Sequence, residues 1–125
     1  MRIFFPAFLG SLLLFSIASF AGPLTTEAQI RQAIVGNTIS GTEKGKAYLE
    51  YFQGDGFIHG RDAEGPYVGQ WRISRGQLCM SYFEEDKTVS AWECSRVALE
   101  GSRLAWLDDE GREYSDVIMG NPNKL

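Results

Sequence analysis

Gly69-Gln70-Trp71-Arg72-Ile73-Ser74-Arg75-Gly76-Gln77-Leu78-Cys79-Met80-Ser81-Tyr82-Phe83 is the stretch that decides the fold. Apolar and polar residues alternate on both sides of Arg75-Gly76, which is the period of strands with one buried face. Read as a two-residue hairpin turn, Arg75-Gly76 sets Ile73 opposite Leu78 and Trp71 opposite Met80, so these four side chains share a face. Centring the next hairpin on residues 84–88 places Cys79 directly opposite Cys94. These are the only two cysteines of the chain, and the register predicts a disulfide between them. Closing a loop of about fifteen residues contributes roughly 3 kcal/mol in a chain-entropy treatment. A catalytic thiol would need a cationic or histidine neighbour to activate it, and the chain has one histidine.

Outward from this stretch the same grammar continues. After Gly36, short alternating runs are separated by turns at Gly54-Asp55-Gly56, 62–66, 84–88, Glu100-Gly101 and Asp109-Glu110-Gly111. Strands are expected near 37–41, 46–53, 57–61, 67–74, 77–83, 89–99, 102–108 and 112–119, a β meander. The expected fold is all-β, a small up-and-down antiparallel barrel of about eight strands with one cross-strand disulfide. Such a barrel is just wide enough to be filled by side chains or to hold one small ligand. Ahead of it, Thr26-Glu27-Ala28-Gln29 fits a capping box, Ile30, Ala33 and Ile34 share a face, and Gly36 suits the end of a helix. One short helix is expected over 26–35.

The chain begins with Arg2 and an uncharged run from Ile3 to Ala21, with small residues at Ser19 and Ala21. This pattern predicts a cleaved secretory signal peptide over 1–21, leaving 22–125 as a single domain. Pro6 and Gly10 interrupt the run and it sits at the very terminus, so a spanning helix is the weaker reading, and no stable membrane span is expected once the signal is cleaved. Export implies a periplasmic or secreted location, where paired cysteines persist. The net charge is −4, and every acid lies beyond residue 21 while Arg2 does not. A nucleic-acid or anionic-membrane partner is disfavoured on that ground. Only Phe52, Phe57 and Phe83 among the phenylalanines follow residue 21, whereas every Trp and Tyr does. The core is therefore expected to use amphipathic aromatics, and a covalent staple helps a core of this size.

Carried forward, the register sets Glu93 opposite Met80, an acid on the apolar face. With Glu100-Gly101 as the next turn, Val97 pairs with Leu104, Ser95 with Trp106 and Glu93 with Asp108. A three-residue turn then sets Asp108 against Arg112 and Trp106 against Tyr114. Glu93, Asp108 and Arg112 are thus expected at one mouth, with Trp71, Trp106 and Tyr82 lining the interior as a candidate ligand-binding set. Two acids and a guanidinium can orient a polar ligand or raise a carboxylate pKa. Equally, they can form a hydrated ion-pair network, and a one-residue bulge would turn Glu93 outward. The other face carries Gln70, Arg72, Ser81, Ser90 and Arg96, but also Trp92, Phe83 and the cystine. Large aromatics there need cover, and the helix is expected either over this patch or as a plug in one end.

Other motifs fail on inspection. His59, beside the Gly54 turn and expected opposite Phe52, has no Gly-x-Ser-x-Gly elbow to serve. Two cysteines committed to each other leave too few soft ligands for zinc. Gly41-Thr42-Glu43-Lys44-Gly45-Lys46-Ala47 is one residue short of a phosphate loop and has Ala47 where magnesium needs a hydroxyl. Asp108-Asp109-Glu110-Gly111 lacks the alternating acids of a calcium loop. No catalytic residue, metal or cofactor is expected. Glu84-Glu85-Asp86 reads as a charged hairpin tip or a partner-binding loop.

Gly36-Asn37-Thr38 after a short helix, Gly69-Gln70-Trp71-Arg72-Ile73 leading to Leu78-Cys79, the second Cys94 and the tail Gly120-Asn121-Pro122 resemble small exported proteins of alphaproteobacteria. These are grouped as domains of unknown function, lipocalin-like in outline. The likeness spans nearly all of 22–125 and rests on glycines, a tryptophan and a cystine, so it implies a fold and no activity. A second likeness is to periplasmic inhibitors of secreted metalloproteases, small disulfide-bonded barrels with a Gly-x-Trp start. Here Gly69-Gln70-Trp71 sits mid-chain and the cystine is placed differently, so no inhibitory segment carries over. The resulting expectation is a non-enzymatic binding module for a small molecule or an envelope protein. A small protein inhibitor or envelope-interaction factor is the alternative, and a hydrolase using Glu93 and Asp108 the third.

Overall fold

The computed structural model describes residues 22–125; the signal peptide expected over 1–21 lies outside them. In chain order the elements are β1 (Gly22–Leu24), α1 (Glu27–Ile34), β2 (Thr38–Glu43), β3 (Lys46–Phe52), β4 (Phe57–Asp62), β5 (Gly65–Ser74), β6 (Gln77–Tyr82), β7 (Glu93–Glu100), β8 (Arg103–Asp108) and β9 (Gly111–Ile118). Strands β2 to β9 pair in sequence order, and β9 returns to β2, closing an eight-stranded antiparallel barrel.

Arg75 and Gly76 both take positive φ, 53° and 72°. That pair of conformations suits the tight hairpin turn whose twist matches the flanking strands. The expected register follows: Ile73 faces Leu78, Trp71 faces Met80 and Cys79 faces Cys94. The two cysteines form the disulfide, closing a separation of 15 residues.

Two later registers differ from expectation. The turn after β7 is Gly101-Ser102, with Gly101 at φ 63°, so Glu100 faces Arg103, Val97 faces Trp106 and Leu99 faces Leu104. This two-position shift leaves Asp108 short of Glu93, which has no partner on β8. After β8, the Asp108 carboxylate accepts from the Glu110 amide at 2.8 Å. It thereby tightens the turn to two residues, with Asp108 facing Gly111. A shift of one residue exchanges the faces of β9: Ser115 turns in toward Leu104, while Arg112 and Tyr114 turn out. Tyr51, rather than Phe52, faces His59, because the β3–β4 loop spans 53–56.

Between the 84–88 turn and β7 the chain carries one extra residue. Phe83 bridges Val89 and the Ser90 amide donates to the Tyr82 carbonyl, yet Met80 faces Glu93. This is a bulge at 91–92, held by the Ser81 hydroxyl on the Ser90 carbonyl at 2.6 Å and by the Tyr82 amide on the Ser90 hydroxyl at 2.8 Å. Beyond Ser95 the β6 edge gives way to β1, which the sequence pattern did not reveal; Gly22, Pro23 and Leu24 face Leu99, Ala98 and Val97.

Helix α1 plugs one end of the barrel. The Thr26 hydroxyl accepts from the Gln29 amide at 3.2 Å and the Gln29 side chain accepts from the Thr26 amide at 3.2 Å, the expected capping box. Ile30 and Ile34 are fully buried against Leu24, Ile39, Phe52, Ile58, Trp71 and Leu78. Burying side chains of this size is worth about 1.5–3 kcal/mol each. Arg31 lies 5.1 Å from the Trp71 ring centre, and the Trp71 indole donates to the Gln53 carbonyl at 2.8 Å. The helix therefore leaves the outer patch alone; Trp92 is covered instead by Arg72, 4.2 Å from its ring centre. At the helix exit the tail is clasped to β2, since the Thr38 hydroxyl donates to the Gly120 carbonyl at 2.7 Å and the Gly120 amide to the Asn37 side chain at 3.1 Å.

Candidate functional site

Up-and-down order puts the turns at 44–45, 63–64, 84–88 and 109–110 at the end of the barrel opposite α1. The interior toward that end is polar. Strict alternation along β3 turns Tyr48, Glu50 and Phe52 inward, and Phe52 belongs to the helix-plugged core while Tyr48 lies nearest the open end. Glu50 sits between them, only 7% exposed.

Three inward glycines make room for three inward tyrosines. Gly41 faces Tyr48, Gly60 faces Tyr67 and Gly69 faces Tyr82 across adjacent strands. A Cβ on Gly41 would stand 2.7 Å from the Tyr48 hydroxyl, one on Gly69 2.7 Å from Cδ1 of Tyr82, and one on Gly60 would overlap the Tyr67 ring. The rings thus fill the space where the glycines have no side chain, and that fold-back aims their hydroxyls. Tyr67 and Tyr82 both donate to Oε1 of Glu50, at 2.9 Å and 2.8 Å, with their rings edge to face at 5.9 Å. On the opposite wall the Ser115 hydroxyl accepts from the Trp106 indole at 2.8 Å and bonds the Tyr48 hydroxyl at 2.8 Å.

Burial pushes the Glu50 carboxyl above its ordinary range, with the two tyrosine hydroxyls opposing and Glu43 reinforcing the rise. Taking a carboxylate out of water is costly without a counter-charge, and no cation is among the groups acting on it. Burial, followed by the Glu50 charge, raises the Tyr67 and Tyr82 hydroxyls far above the usual phenol range. Both therefore stay protonated and act only as donors toward Glu50 at any physiological pH.

Comparison of the chain with protein-family models, with curated proteins and with solved structures finds no match.

Of the six residues expected to bind ligand, Trp71, Trp106 and Tyr82 are interior. Tyr82 touches Glu50, Trp106 touches Ser115, and Trp71 belongs to the plugged end. Glu93 and Asp108 are exposed, and the corrected register does not pair them. Arg112 is on the outer face, its guanidinium 2.8 Å from Glu100. The expected triad of Glu93, Asp108 and Arg112 is therefore not assembled. An open depression of about 500 Å³ lies on the outer wall beside Arg96, Asp108, Glu110 and Arg112, and a second of about 290 Å³ lies between β1 and the Arg75-Gly76 turn. Glu50 and its tyrosines line neither. Among the described residues no helix is long and apolar enough to cross a membrane, and no group of three or more His, Cys, Asp or Glu is placed to hold a metal ion.

Glu50, Tyr48, Tyr67 and Ser115 were not singled out by the sequence pattern. The signal that identifies them is parity: an acid two positions from Tyr48 and two from Phe52 must share their face. It is masked because Leu49 and Tyr51 make the other face of β3 equally apolar.

Proposed function

We propose that this chain is a non-enzymatic binding module acting in the periplasm or outside the cell, with the open end of the barrel receiving a small molecule. The observation that carries this reading is the asymmetry of the barrel. One end is sealed by α1 and an apolar core, while the other presents half-buried Tyr48, Tyr67, Tyr82 and Trp106 around the Glu50 carboxylate. A few polar groups converging among aromatic side chains on a rigid scaffold are a common feature of ligand sites. The disulfide agrees with an oxidising compartment. A thermal-shift screen against envelope metabolites, lipids and charged small molecules tests the reading, since a ligand that binds only the folded state raises the melting temperature. At least one class should stabilise the protein; no stabilisation by any class overturns the reading.

A second reading, an envelope-interaction factor or inhibitor, is favoured by one separate observation. Val68 (38% exposed), Phe83 (40%) and Val89 (51%) form an exposed apolar row across neighbouring strands, next to the Glu84-Glu85-Asp86 tip. Pull-down from an envelope extract with the native and the charge-reversed tip (Glu84→Lys, Glu85→Lys) distinguishes it. Loss of a captured protein on reversal supports this second reading, and an unchanged set of captured proteins removes it.

A further inference from the structure

Glu50 is only half used. Both tyrosine hydroxyls go to Oε1, and Oε2 accepts no hydrogen bond from any described residue. Yet among the described residues no fully buried side-chain oxygen lacks a partner. Oε2 is therefore not fully buried, and is an unpartnered acceptor on a side chain that is otherwise buried.

The charged side chains that act on Glu50, Tyr48 and Tyr67 are all acids. Glu43 on β2, Asp62 on β4 and Glu113 on β9 share the inward face at the open end and act electrostatically on Glu50, Tyr67 and Tyr48. Lys46, the cation on the same face of β3, is turned to Glu64 at 3.6 Å and is largely exposed. Clefts lined by one sign of charge concentrate ligands of the opposite sign. Between the rim and Glu50 stand the half-buried rings of Tyr48 and Tyr67, and aromatic faces attract organic cations.

We propose that the open end is a site for a small protonated amine, whose ammonium donates to Oε2 of Glu50 and rests against the Tyr48 and Tyr67 rings while Glu43, Asp62 and Glu113 draw it in. The assignment rests on the binding-module reading above and supplies its ligand class. It also accounts for a buried carboxylate without a counter-ion, because the ligand brings the missing charge. An N–H donor is required, so a quaternary ammonium of the same charge binds less well, and an anion does not bind.

Titration calorimetry and amide chemical-shift mapping of the full mature domain with 1,4-diaminobutane test this, with n-butylamine, tetramethylammonium and butyrate as comparison ligands. The diamine and the monoamine should bind, with tetramethylammonium at least fivefold weaker and butyrate silent. Shifts in the wild-type protein should centre on Gly41, Gly60 and Tyr67. Glu50→Gln, which keeps shape and removes charge, should weaken the diamine at least tenfold, whereas Glu27→Gln on the exposed face of the helix at the closed end should change it less than threefold. Shift mapping on the native chain keeps the test valid even if Glu50→Gln folds poorly. Equal binding of butyrate, shifts centred elsewhere, or an unchanged affinity in Glu50→Gln overturns the assignment. If the amines fail while another class stabilises the protein in the thermal screen, only the ligand class falls; if nothing binds in either experiment, the binding-module reading falls with it.

Discussion

Gly60→Ala separates what the backbone requires from what the side chains require. Gly60 does not take positive φ, and in a strand interior alanine is better than glycine by about 0.5–1 kcal/mol on backbone entropy. The new methyl, however, would overlap Cε2 and Cζ of Tyr67 and stand 2.8 Å from its hydroxyl oxygen. The ring must move and take its hydroxyl off Oε1 of Glu50. Overpacking of this kind costs about 1–3 kcal/mol, and a hydrogen bond to a charged acceptor contributes about 1.5–3 kcal/mol. Less the backbone gain, the substitution should destabilise the fold by about 1.5–5.5 kcal/mol. Urea unfolding followed by tryptophan fluorescence reads this directly. With a slope of about 1–3 kcal/mol per molar for a small domain, the midpoint should fall by on the order of 1–2 M. In a Tyr67→Ser background the obstructing ring is gone, and Gly60→Ala should become neutral or stabilising. An equal cost in both backgrounds would refute the reasoning, because the clash would then not be with Tyr67.

Three further outcomes are expected. The folded-state pKa of Glu50 lies above its ordinary value of 4.5, so its contribution to stability is complete below that value and is lost as pH rises through the raised folded value; unfolding free energies of Glu50→Gln minus wild type should therefore grow as pH increases from about 4, and a flat difference would contradict the burial of the charge. Replacing both cysteines by serine should cost about 3 kcal/mol, given the loop of 15 residues between them, measured as a shift in the denaturation midpoint. Ile34→Ala, at a fully buried position in the helix plug, should cost about 2–5 kcal/mol, while Glu27→Ala, whose ion pair with Arg31 is exposed, should change stability by less than about 1 kcal/mol.

The parts of the fold that could be read in the sequence are those fixed by local chemistry. Arg75-Gly76 can adopt a left-handed pair, and the two cysteines pin the neighbouring register, so the pairing of β5 with β6 and of Cys79 with Cys94 was legible, whereas the start of β7 was not, because the bulge at 91–92 delays it to Glu93. The later turns each offered more than one centre. Glu100-Gly101-Ser102 accommodates its left-handed glycine in two frames, and the frame adopted sets Leu99 against Leu104 in the core. The Asp108 carboxylate shortens the next turn by capping it, an interaction that composition does not announce. Those two choices moved the expected acids and Arg112 out of register. β1 was missed because three residues containing Pro23 show no alternation. The plug was legible as one of two placements, since an amphipathic helix states what it buries but not which apolar surface receives it. Glu50 stayed hidden because its significance depends on three separate pairings of adjacent strands, each setting a tyrosine over a glycine, and on the barrel closure that brings them around one carboxylate.

β1 gives the wall an unusual order of completion. Segment 22–24 fills the ledge along residues 97–99 that β6 does not reach, so the earliest described piece of the sequence must wait for one of the last before it has anywhere to lie. Until then that ledge offers bare amide and carbonyl groups to any matching segment, including the same three residues of a neighbouring molecule. At high concentration the arrangement provides a route to reciprocal strand exchange, two molecules each finishing the other's wall.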